Sequence, residues 1–71
     1  MPLVIAPVDT ELKIIKVLIQ EENVKKHLES LGIAANQTIT VLQVTNGNVI
    51  VKVKDGRLAL DKHVAAKIVV A

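Results

Sequence analysis

Three basic side chains, Lys52, Lys54 and Arg57, crowd one corner of this 71-residue chain, around the turn in VIVKVKDGRLALD, residues 49–61. The other side chains with chemistry near neutral pH are His27 and His63. A transition-metal site takes three or four converging N, O or S ligands. His27 lies one turn from Val24 and Leu31, at the edge of a helical apolar stripe, and His63 stands beside Asp61. Neither has a second ligand at a familiar helical spacing, because Glu22 and Glu29 fall on other faces. The pair reads as a boundary histidine and a surface histidine, capable of weak divalent-metal binding at best, and no cofactor is expected. Catalytic constellations are missing as well. There is no cysteine nucleophile, no threonine cluster has an adjacent histidine, and three glycines build no phosphate loop. A non-enzymatic protein is expected.

The chain that must position these residues is one domain, residues 1–71, near the lower size at which a core forms unaided. Without cysteine it has neither disulfide nor thiolate staple, which fits a reducing cytosol. Burial must hold it together. Hydrophobic residues make up 51% of it, and with no aromatics the core falls to 12 Val, 8 Ile and 8 Leu. The N-terminal MPLVIAPV lacks a charged leader region and is interrupted by Pro2 and Pro7. No apolar run approaches the 18 or so residues of a membrane span, so a soluble cytoplasmic protein is expected. A net charge of +2 is too small to argue for direct nucleic-acid binding. The lack of aromatics excludes both base-stacking platforms for single strands and the grooves that hold polyproline.

Thr10 to Ile19 is rich in β-branched residues and reads as a strand, buried on two sides or bent, because Ile14 and Ile15 are adjacent. Glu21 to Leu31 changes period: Val24, Leu28 and Leu31 share a helical face, Glu21 and Glu22 favour the N-terminal turn, and Gly32 ends it. After the linker Ile33 to Asn36, a meander follows with Asn46-Gly47 and Asp55-Gly56 as two-residue type I′ turns. That register sets Thr45 opposite Asn48, Val44 opposite Val49 and Leu42 opposite Val51. In the second hairpin it sets Lys54 opposite Arg57, Val53 opposite Leu58 and Val51 opposite Leu60. Asp61 can cap a short helical turn, DKHVAAK, before a last strand, KIVV.

One face of the meander then carries Leu42, Val44, Val49, Val51, Val53, Leu58 and Leu60, the core. The other offers an apolar floor of Ile39, Val41, Ile50 and Ala59 with Lys52, Lys54 and Arg57 as its cationic rim. Lysines on strands also protect sheet edges from pairing. Yet a like-charge pair set face to face costs a few tenths to about 1 kcal/mol, which protection alone does not require. The surface suits an acidic, partly apolar protein partner, and its aliphatics allow homo-oligomers.

Five short strands, a helix after the first and a helical turn before the last predict a mainly β fold, a small, partly open SH3-like barrel. Leu28, Leu31-Gly32-Ile33, the basic-Leu-Ala-Leu segment Arg57 to Leu60, and Ala65 with Ile68 and Val70 follow in an order and spacing that resemble the FeoA family. The resemblance runs from Leu3 to Val70. Ala35-Asn36 departs from the Pro-Gly of many relatives, and Asn36 can supply the left-handed backbone needed there. The resemblance implies a small cytosolic accessory protein of bacterial ferrous iron uptake, whose partner is the cytosolic, GTP-binding domain of the FeoB permease. The alternative it raises is a metal-responsive accessory domain, related to the SH3-like C-terminal domain of diphtheria-toxin-repressor-type regulators. No helix-turn-helix precedes the barrel here.

Overall fold

The computed structural model describes residues 1–71. Strands β1 (Glu11–Val17), β2 (Thr38–Thr45), β3 (Asn48–Val53), β4 (Gly56–Leu60) and β5 (Ile68–Val70) form one antiparallel sheet in the order β4-β3-β2-β1-β5. Helix α1 (Glu22–Ser30) is inserted after β1, and α2 (Lys62–Ala65) connects β4 to β5. The curled sheet is the expected SH3-like architecture. Its 15 buried residues are all aliphatic, Ile14, Ile33, Ile39, Val41, Val49, Val51, Ile68 and Val70 among them, and no polar side chain is buried.

The predicted helix is real and one residue shorter at each end. Leu31 is its C-cap and Gly32, at φ +96°, reverses the chain. Ile33 N–H donates to the Leu28 carbonyl (2.9 Å) and Gly32 N–H to that of Glu29 (3.0 Å), so two orphan carbonyls are satisfied. Ile33 and Leu28 are both buried at that closure, whereas Val24 on the same stripe remains 36% exposed. Asn36 adopts φ +74°, and its N–H bonds the Ile14 carbonyl while Ile14 N–H bonds that of Gln37 (both 2.8 Å). The turn before β2 is thereby clipped onto β1. Asp61 Oδ1 accepts the N–H of Val64 (2.8 Å), capping α2 as the sequence suggests.

β1 is bent. Ile14 pairs with Val70 but Lys16 with Val69, and the bulge between them turns Ile15 outward, 47% exposed. The two adjacent isoleucines therefore serve opposite faces. Residues 1–9, where the sequence pattern predicts no element, form part of the core: Leu3, in a 3₁₀ turn (Leu3–Ile5), and Ala6 are buried, Pro2 bridges Val69, and Val8 bridges Val41.

Two registers in the meander differ from the sequence reading. The Asn46-Gly47 turn is type I′ as expected, with φ +53° and +82°, and pairs Thr45 with Asn48 and Val44 with Val49. Beyond it Gln43 pairs with Ile50, but Val41, not Leu42, meets Val51. A bulge at Leu42 displaces β2 by one residue, which exchanges its faces. Ile39 (1% exposed) and Val41 (0%) turn into the core, so these two members of the expected apolar floor cannot belong to a surface site. Leu42 is half-buried, and Val44, expected in the core, is 43% exposed near the hairpin tip.

The second hairpin slides by two. Its loop is Lys54-Asp55, not Asp55-Gly56, since Val53 pairs with Gly56, Lys52 with Arg57, Val51 with Leu58 and Val49 with Leu60. Lys54 and Asp55 both have negative φ, which rules out type I′; the positive φ, +144°, falls on Gly56 just after the loop. A two-residue slide preserves the faces, so Val49, Val51, Val53 and Leu60 are buried as predicted.

Candidate partner-binding face

The bulge at Leu42 brings Thr38 and Thr40 to the outer surface, where their neighbours across the sheet are charged. Glu11 pairs with Thr40, Thr40 with Lys52, and Lys52 with Arg57, so one transverse row crosses four strands. Side chains of directly paired residues share a face, which gives this row an acidic start and a dibasic end. Glu11, Lys52 and Arg57 are exposed and Thr40 is half-buried. Lys13 pairs with Thr38 on one side of the row, and Gln43, Ile50 and Ala59 align on the other. A shallow cleft of about 160 Å³ lies over it, lined by Glu11, Thr38, Thr40, Lys52, Val53 and Lys54.

Lys52 and Lys54 thus occupy different settings. Lys52 is held in the middle of β3 against Arg57, the like-charge neighbour that the sequence reading assigned to Lys54. Lys54 rides in the turn, close to the end of α1: a Cβ placed on Gly32 would meet its Cβ at 3.9 Å. The nearest acid in the row, Glu11, stands two strand spacings from Lys52, roughly 10 Å, so it offsets the Lys52–Arg57 repulsion weakly. None of the side-chain hydrogen bonds in the chain involves these residues, which leaves both cations' donors free for an external acceptor.

Of the residues predicted for the site, Lys52, Arg57, Ile50 and Ala59 come together on this face, Lys54 stands at its margin, and Ile39 and Val41 do not reach it. Glu11, Lys13, Thr38 and Thr40 were missed. The alternation in Thr-Ile-Thr-Val, residues 38–41, sorts the threonines from the aliphatics, but only the bulge decides which set faces out.

Neither histidine lines the cleft over this row. His27 is exposed on α1, its carbonyl accepting from Ser30 Oγ (2.6 Å). His63, on α2, lines a cleft of about 210 Å³ with Glu21, Asp61, Ile19, Val24 and Val64 among its walls. No three His, Asp or Glu side chains in the chain converge as a metal-ligand group, and Asp61 already caps α2. No helix is long and apolar enough to cross a membrane.

Comparison with known proteins gives the same picture of the fold. The family model described as the FeoA domain matches residues 1–71. A crystal structure of an iron uptake regulatory protein, FeoA, superimposes with a TM-score of 0.84 at 25% identity, covering 99% of this chain and 92% of that one. A Stenotrophomonas maltophilia FeoA complexed with zinc, described as a prokaryotic SH3 domain protein, gives 0.82 at 24% identity over 100% and 89% of the two chains. A FeoA-like protein from Clostridium acetobutylicum gives 0.81 at 20% identity over 100% and 84%. No curated protein sequence matches.

Proposed function

The chain belongs to the FeoA family, which is linked to ferrous iron transport, and we propose that it is a non-enzymatic accessory protein that acts by docking on the cytosolic domain of a FeoB-type permease. The observation that carries this reading is the Glu11–Thr40–Lys52–Arg57 row, whose two exposed cations lie side by side without an internal acceptor. Holding Lys52 against Arg57 costs the isolated chain a little stability, and an acidic partner surface would convert that repulsion into attraction. Ile50 and Ala59 beside the cations supply the apolar contact such an interface needs. Steering by the cationic end would act mainly on the association rate and would weaken with salt.

The test is a pull-down and titration of the permease's cytosolic domain, with and without guanine nucleotide. Wild-type chain should bind at low salt, and the Lys52→Glu, Arg57→Glu double variant should bind more weakly through a slower on-rate. Equal binding by both proteins would move the interface off this face.

A further inference from the structure

The two edges of the sheet are treated differently. At β5 the outward backbone groups of Val70 are already used: the Met1 nitrogen donates to the Val70 carbonyl (2.8 Å), and Val70 N–H donates to that of Met1 (2.7 Å). At β4 nothing is added. In a hairpin with a two-residue loop the flanking residues exchange both ladder bonds, so the bonded pairs are Val53–Gly56, Val51–Leu58 and Val49–Leu60. The N–H and C=O of Arg57 and Ala59 therefore point away from β3, and none of the turn, loop or cap bonds reaches them. An open edge of this kind templates another strand.

We propose that β4 takes up an extended segment of an acidic protein partner as a sixth strand, with alternating apolar and acidic side chains. Alternate residues of an added strand point to opposite faces. On the outer face they meet Arg57 and, one strand further in, Lys52. A cleft of about 120 Å³ opens beside the same edge, between Ser30 and Leu31 at the end of α1 and Val53, Asp55 and residues 56–58 of β4, Arg57 included. Leu31, Val53 and Leu58 make its apolar contact, which suits aliphatic side chains on one face of the added strand and acidic ones on the face that meets Arg57 and Lys52. A second copy pairing through the same edge would set two Lys52–Arg57 pairs on one continuous face, which like-charge repulsion opposes. The absence of aromatics fits this mode, because in strand addition backbone hydrogen bonds supply the affinity and side-chain clefts the specificity.

This inference rests on the outer face being the partner site, and two measurements separate them. Isotope-labelled chain is titrated with the permease's cytosolic domain and, separately, with a short synthetic peptide alternating glutamate and valine, while amide exchange is followed. Strand addition should slow the exchange of Arg57 and Ala59 with both probes. Ala59→Pro removes an N–H that the β3 ladder does not use and should weaken binding about tenfold or more. Should that variant not fold, amide exchange in the unmodified chain decides alone. Salt-sensitive binding of the domain that depends on Lys52 and Arg57 but leaves both amides unprotected would overturn strand addition and keep the outer-face reading. Binding indifferent to those two cations would overturn the outer-face reading itself.

Discussion

Lys52 and Arg57 stand directly opposite each other across the β3–β4 pair, two exposed cations on neighbouring strands. Replacing Lys52 by Glu turns this into an opposite-charge pair. The isolated chain should gain from tenths to about 1 kcal/mol in urea unfolding, while partner binding falls. Lys54→Glu, in the loop, should give no such gain. A larger stabilisation from Lys54→Glu would mean that Lys54, not Lys52, faces Arg57.

The bulge at Leu42 makes Ile39 a core residue and leaves Ile50 half-buried on the outer face. Ile39→Ala should therefore cost about 2–5 kcal/mol and Ile50→Ala roughly 1–2 kcal/mol. In an unbulged β2 both isoleucines would lie on the outer face and the two losses would be similar. Cross-strand nuclear Overhauser contacts between Val41 and Val51, and not between Leu42 and Val51, give an independent check.

Gly32 ends α1 at φ +96°, and a Cβ there would touch Val53 Cβ at an ordinary 3.8 Å. Space is not the obstacle, so Gly32→Ala should destabilise by about 1–2 kcal/mol through the backbone alone. Asn36, at φ +74°, already carries that conformation with a side chain. Asn36→Gly should shift the unfolding midpoint very little, because relief of local strain is balanced by a freer unfolded chain.

Asp61→Ala removes the acceptor for Val64 N–H and should cost about 0.5–2 kcal/mol by thermal or urea melting, with Asp61→Asn retaining most of the stability. Identical losses for the two variants would show that the carboxylate acts by charge and not as a hydrogen-bonded cap.

The pattern of successes in the sequence reading follows from the geometry of the strand. The helix, its glycine stop, the Asp61 cap and the inward face of β3 and β4 were legible because each depends on neighbours within a few residues. The second hairpin was misregistered by two, from reading Asp55-Gly56 as the loop, and its inward face survived because side chains alternate with period two. The first was misregistered by one, and Ile39, Val41, Thr38 and Thr40 all changed sides. Nothing local announces that bulge. It is favoured by burying Ile39 and Val41 against the rest of the barrel, a long-range effect that turn chemistry cannot report.

The pairing of β1 with β5 separates the stages of folding. The loops of the β2–β3–β4 meander hold two residues each, whereas uniting Val17 with Ile68 closes everything between them. By the logarithmic dependence on loop length, that closure costs roughly 3 kcal/mol more chain entropy than either hairpin turn. The hairpins should populate the transition state while the β1–β5 seam is still unmade, so φ-values near Val49 and Val51 should exceed those near Ile14 and Val70. Substitutions at Ile68 or Val70 would then mainly accelerate unfolding, and those at Val51 would slow folding.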